Sequence, residues 1–83
     1  MHEIQVLAEY TSGMVVLGNL RWYREQEALT QQELAKKAGV TRLTVMLLEQ
    51  GKQQPRPATT RKLARALGVK PADLMTEDAD GAA

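Results

Sequence analysis

The sequence predicts an all-α fold, a compact domain of five short helices, and three observations carry that reading. The 83-residue chain has room for a single core. Apolar residues make up 43% of it, yet Phe is absent and aromatics are only 4%. The core is therefore Leu, Val, Ala and Met, which suits short packed helices better than a sheet sandwich. Finally, apolar residues recur at helical spacing between capping residues and glycines that mark where helices start and stop.

In chain order, Ile4, Val6, Ala8 and Tyr10 fall on one side of a partial alternation that Leu7 breaks. Residues 1–13 thus read as a short N-terminal strand or arm, ending at Gly13. From about Met14 to Glu27, Val16, Leu17, Leu20 and Tyr23 fall at helical spacing and predict a first amphipathic helix. Thr30-Gln31-Gln32-Glu33 is a capping box that opens a second helix, with Leu34, Ala35 and Ala38 inward and Gly39 as its stop. Thr41 can cap a third helix running to about Gln50, where Gly51 ends it. Lys52 to Arg56 is a polar loop, and Pro57 suits the first turn of a fourth helix, whose apolar face is Leu63, Ala64 and Leu67. Gly68 ends that helix, and Pro71 opens a fifth reaching about Met75. The domain is expected over 14–75. Residues 76–83 are acidic and small and read as a disordered tail.

Composition excludes several classes of function. Without Cys there is neither a disulfide framework nor a thiolate metal site. No apolar run approaches the roughly 18–20 residues of a membrane span. Met1 to Tyr10 carries two Glu and no basic preface, which argues against a signal peptide and for a cytoplasmic protein. His2 has no second ligand nearby, so no metal and no cofactor are expected. No pair of carboxylates, nor any nucleophile beside a base, suggests catalysis, and an enzyme is not expected.

The net charge of +1 conceals an asymmetry. Residues 1–30 carry −2, residues 31–70 carry +7 (nine basic groups against Glu33 and Glu49), and residues 71–83 carry −4. A basic middle between acidic ends is the electrostatic outline of a polyanion-binding domain. The second and third helices are separated only by Gly39-Val40-Thr41. A short turn containing Gly joins two helices at roughly 90–120° and leaves the second able to enter a DNA major groove about 12 Å wide. Leu34, Ala35, Val40, Val45 and Leu48 would hold the pair together, with Ala35 small because the third helix crosses close above it.

The residues that carry a family likeness are Leu20-x-x-x-Arg24, then Leu29-Thr30-Gln31-x-Glu33-Leu34-Ala35-x-x-Ala38-Gly39-Val40-Thr41. They continue through Thr44-Val45, Glu49-x-Gly51-Lys52, Pro55, Leu63-Ala64-x-Ala66-Leu67-Gly68-Val69 and Leu74. This stretch resembles the phage-repressor and Cro-type helix-turn-helix family, also called Xre, over about two thirds of the chain. The resemblance implies a repressor-like domain that binds double-stranded DNA as a small transcriptional regulator, with the helix from Arg42 to Gln50 in the major groove. It places Arg42, Leu43, Thr44 and Leu47 against base edges, and Gln31, Thr41, Gln50, Lys52 and Gln54 against phosphates. It also pairs Arg24 with Glu49 as a structural salt bridge. Of these, Arg42 is the best base reader, since a guanidinium can bond guanine O6 and N7 together.

The third helix departs from the family in being unusually apolar. Val45 and Leu48 suffice for its core contacts, leaving Leu43, Met46 and Leu47 outward. Such a face would read thymine methyls or, as the alternative function, dock a protein partner, as an antitoxin subunit does. Trp22, at a position usually polar in the family, is expected to cover a core edge or serve a partner surface. A homodimer on a palindromic site is the expected assembly, with Met1 to Val16, Trp22 or the region around Met75 as candidate interfaces.

Overall fold

The computed structural model describes residues 15–77. Its elements run β1 (Val15–Val16), α1 (Leu20–Gln26), α2 (Gln31–Ala38), α3 (Arg42–Glu49), α4 (Pro57–Leu67), α5 (Pro71–Leu74) and β2 (Thr76–Glu77). The expected arm over 1–13 and the tail beyond residue 77 lie outside the described residues. No helix is long and apolar enough to cross a membrane among those described.

Four of the five helices follow local chemistry. The Thr30 hydroxyl accepts from the Glu33 amide at 3.0 Å, and the Thr30 amide donates to the Glu33 carboxylate at 2.8 Å, closing the capping box of α2. Gly39 ends α2 with φ +76°, a left-handed conformation that costs a residue with a Cβ about 1–2 kcal/mol. Thr41 caps α3 by accepting from the Thr44 amide at 3.1 Å. Pro57 opens α4, and Lys70 and Pro71 lead into α5, where the Asp73 carboxylate accepts from the Lys70 amide at 3.0 Å.

The first helix requires a correction. It begins at Leu20, not near Met14, because Val15 and Val16 belong to a two-stranded antiparallel ribbon. Val15 pairs with Glu77 and Val16 with Thr76. Paired β-branched residues fit a pleated strand better than a helical first turn. Gly18 then passes so close to β2 that a Cβ there would stand 2.1 Å from the Thr76 hydroxyl oxygen. The Asn19 amide donates to the Leu74 carbonyl at 3.2 Å and its side chain to the Asp73 carbonyl at 3.0 Å, fastening the start of α1 to α5. Thr76 and Glu77, assigned by composition to a disordered tail, are likewise corrected to strand residues.

Helix α2 packs on α3 and α4, α4 on α5, and α1 on α3. Leu17, Leu20, Leu34, Ala35, Val45, Leu48, Leu63, Ala64, Leu67 and Leu74 form one buried cluster. Tyr23, Leu29, Ala38, Val40, Ala66 and Val69 close its edges. Thr60 is the one buried polar residue among those described, and its hydroxyl donates to the Arg56 carbonyl at 2.9 Å. Trp22 does not cover a core edge. It is 56% exposed and meets the packed ring of Tyr23 edge-to-face, with centroids 5.0 Å apart.

Candidate nucleic-acid interface

Helix α3 is fixed from behind. Val45 and Leu48 are fully buried, and Glu49, at its last turn, is held by three hydrogen bonds. The Arg24 guanidinium reaches both Glu49 carboxylate oxygens, through Nε and, at 3.0 Å, through Nη2. Its Nη1 donates to the Leu29 carbonyl at 2.8 Å. The Gln31 side-chain Nε2 donates to Glu49 Oε1 at 3.0 Å. One carboxylate thereby ties α1, α2 and α3 together. The hydrogen bond to Glu49 raises the pKa of Arg24, against the opposing effect of burial, so this guanidinium stays charged.

From the front, Arg42 and Leu43 stand exposed on the first turn of α3, Leu43 with 58% of its surface accessible. Thr44 is half-buried, and its hydroxyl lies 2.9 Å from that of Thr41, so the two threonines hold each other. Gln50, Lys52 and Gln54 are exposed beyond the helix. The Gln31 side-chain nitrogen gives one of its two N–H donors to Glu49.

The apolar face proposed for α3 also needs correction. Met46 and Leu47 are half-buried, and Leu43 is the large apolar side chain of α3 left exposed. Glu49 ties the last turn of this eight-residue helix to α1 and α2, and the Lys52 amide closes its end by donating to the Leu47 carbonyl at 2.9 Å. A protein-docking face is thereby reduced to one exposed side chain.

The structure adds neighbours that sequence reasoning did not assign to the site. Arg56 and Thr59, at the start of α4, share a concavity of about 650 Å³ with Thr44, Gln53 and Gln54. The sequence signal was present in Arg56 as part of the basic stretch, but only folding brings the start of α4 beside α3. Among the described residues the ion pairs are Arg21 with Glu25 and Arg24 with Glu49. None of the nine basic groups of residues 31–70 therefore has a described acidic partner, and their charge is available to a polyanion.

Known proteins share both the sequence and the architecture. An HTH-type transcriptional regulator of Methanocaldococcus jannaschii is 41% identical over 61 residues, covering 74% of this chain and 92% of that protein. The restriction-modification controller protein C.AhdI of Aeromonas hydrophila superposes with a TM-score of 0.66 at 34% identity, over 70% of this chain and 89% of that one. The P22 c2 repressor, solved in complex with synthetic operator 9T, superposes with a TM-score of 0.67 at 25% identity, over 76% of this chain and 97% of that one. Residues 18–77 match the helix-turn-helix domain family, with the capped α2, the Gly39 turn and α3 as its defining unit. The chain belongs to the helix-turn-helix domain family.

Proposed function

We propose that this protein is a transcriptional regulator that binds double-stranded DNA sequence-specifically through α3 and acts as a repressor by occupying its operator. The observation that carries this reading is the two-sided character of α3. Its rear is fastened by Glu49 to Arg24 and Gln31, while Arg42 and Leu43 project from its first turn. A reading helix has to be both rigid and exposed, because base contacts discriminate only when the side chains are held in register with the groove. The kinship with transcriptional regulators and with an operator-bound repressor supports the same reading.

In this assignment Arg42 takes a guanine edge, Leu43, Thr44 and Leu47 line the base-facing side, and Thr41, Gln50, Lys52 and Gln54 meet phosphates. Gln31 gives one side-chain N–H to Glu49, which helps position α3, and its second N–H meets a phosphate. The assembly we favour is a homodimer on a palindrome, with two α3 helices in successive major grooves about 34 Å apart.

Selection of bound duplexes from a random library, with the full chain and with Arg42→Ala, tests the reading. The expected result is a palindromic motif that relaxes at one base position in the variant. Discrimination there should fall by about 1–3 kcal/mol. Binding should also weaken steeply with salt as phosphate counterions are released. Failure to enrich any motif would reject sequence-specific binding, and a monomer mass on the selected duplex would reject the dimer.

A further inference from the structure

The exposed surface of α3 is chemically narrow. Arg42 supplies the strong hydrogen-bond donors of the first turn, and the Thr44 hydroxyl is held by Thr41. Leu43 is the large apolar side chain of α3 left exposed, and Leu47, one turn further along the same face, is half-buried behind it. The next polar residue on that row is Gln50, about 10 Å farther along the axis. Whatever base edge faces Leu43 therefore meets an aliphatic side chain with no donor and no acceptor.

Resting on the DNA reading above, we propose that Leu43, backed by Leu47, reads the C5 methyl group of a pyrimidine, so that the site accepts thymine and 5-methylcytosine alike. Against a bare polar base edge, leucine would displace water and return no hydrogen bond, which is unfavourable. Against a C5 methyl it buries apolar surface on both partners. Thymine and 5-methylcytosine carry the same methyl and differ at C4, where one presents an acceptor and the other a donor. A leucine cannot sense that difference. Methylation of a cytosine at this position would then strengthen operator binding, which makes occupancy responsive to the modification state of the DNA.

Two comparisons isolate the methyl. In duplexes carrying the selected motif, thymine is replaced by uracil at the position assigned to Leu43, and separately cytosine is compared with 5-methylcytosine there. Each pair keeps its hydrogen-bonding groups and changes the methyl alone. Full-length protein should bind the methylated member of each pair about fourfold more tightly, the factor expected for one buried methyl-sized group. The preference should vanish in Leu43→Ala and persist in Leu43→Met. Because Leu43 is exposed, its truncation leaves the core intact, as an unchanged melting temperature will verify. Equal binding of both members of each pair would overturn the proposal, as would a methyl preference undiminished in Leu43→Ala. Absence of any selective duplex binding would overturn the DNA reading itself and this proposal with it.

Discussion

The chain makes nearly the same turn twice. Leu34-Ala35 and Leu63-Ala64 are buried pairs one turn before a glycine, and each glycine is followed by valine. Gly39 and Gly68 adopt φ +76° and +71°. The Val40 amide donates to the Ala35 carbonyl at 2.9 Å, and the Val69 amide to the Ala64 carbonyl at 3.0 Å. These are two copies of one helix-ending motif. Each copy then buries the fifth residue after its valine, Val45 in one case and Leu74 in the other. Beyond that point they diverge. The first copy continues as an eight-residue helix with Arg42 and Leu43 exposed, whereas the second stops after four residues and enters β2. The turn redirects the chain but confers no function. What makes one copy a candidate reading element is the length of helix that follows and the outward side chains on its first turn.

Five substitutions break or sharpen that contrast. The largest effect is expected from Glu49→Ala, because the continuation of α3 depends on this carboxylate, whose side chain is only 4% exposed. Its loss leaves Arg24 and Gln31 without their partner. We expect about 3 kcal/mol of destabilisation, a melting temperature lower by roughly 15 °C in calorimetry. An unchanged melting temperature would remove the pair from the account of how α3 is held.

A smaller effect is expected at the two glycines. A Cβ at Gly39 or Gly68 meets nothing within 4 Å, so alanine at either site costs only backbone strain, about 1–2 kcal/mol each. The two variants should melt alike, yet only Gly39→Ala should weaken duplex binding at a temperature where both are folded, because only that turn aims α3. Equal losses of binding would show that the second turn also positions the interface. The smallest effects are expected at the two N-caps, where Thr41→Ala removes a side-chain cap worth about 1 kcal/mol. Lys70→Ala should fall within about 0.5 kcal/mol of the parent, since the Lys70 side chain donates or accepts no capping bond. Chemical denaturation of both variants checks the difference.

Helices α2 to α5 were legible in the sequence because their ends are written in short-range chemistry. The Thr30–Glu33 box, the Gly39 and Gly68 stops and the prolines at 57 and 71 act within a few residues of themselves. The exposed Leu43 was legible from helical phase and Arg42 from the family resemblance, whereas the same phase left Met46 and Leu47 too exposed. Helix α1 was misjudged at its start because Val16, Leu17 and Leu20 fit a helical repeat. Leu17 satisfies that repeat by burying itself from outside the helix.

The sequence by itself therefore determined the number of helices, most of their limits and the turn that separates α2 from α3, all of which rest on hydrogen bonds between near neighbours. Tertiary structure alone decided the pairing of Val15–Val16 with Thr76–Glu77, the half-burial of Met46 and Leu47, and the placing of Arg56 and Thr59 beside α3. It also decided that the Gln31 side chain donates to Glu49. These arrangements join residues distant in the chain, and such contacts form only when the packed core has offset the entropy of closing the intervening segments.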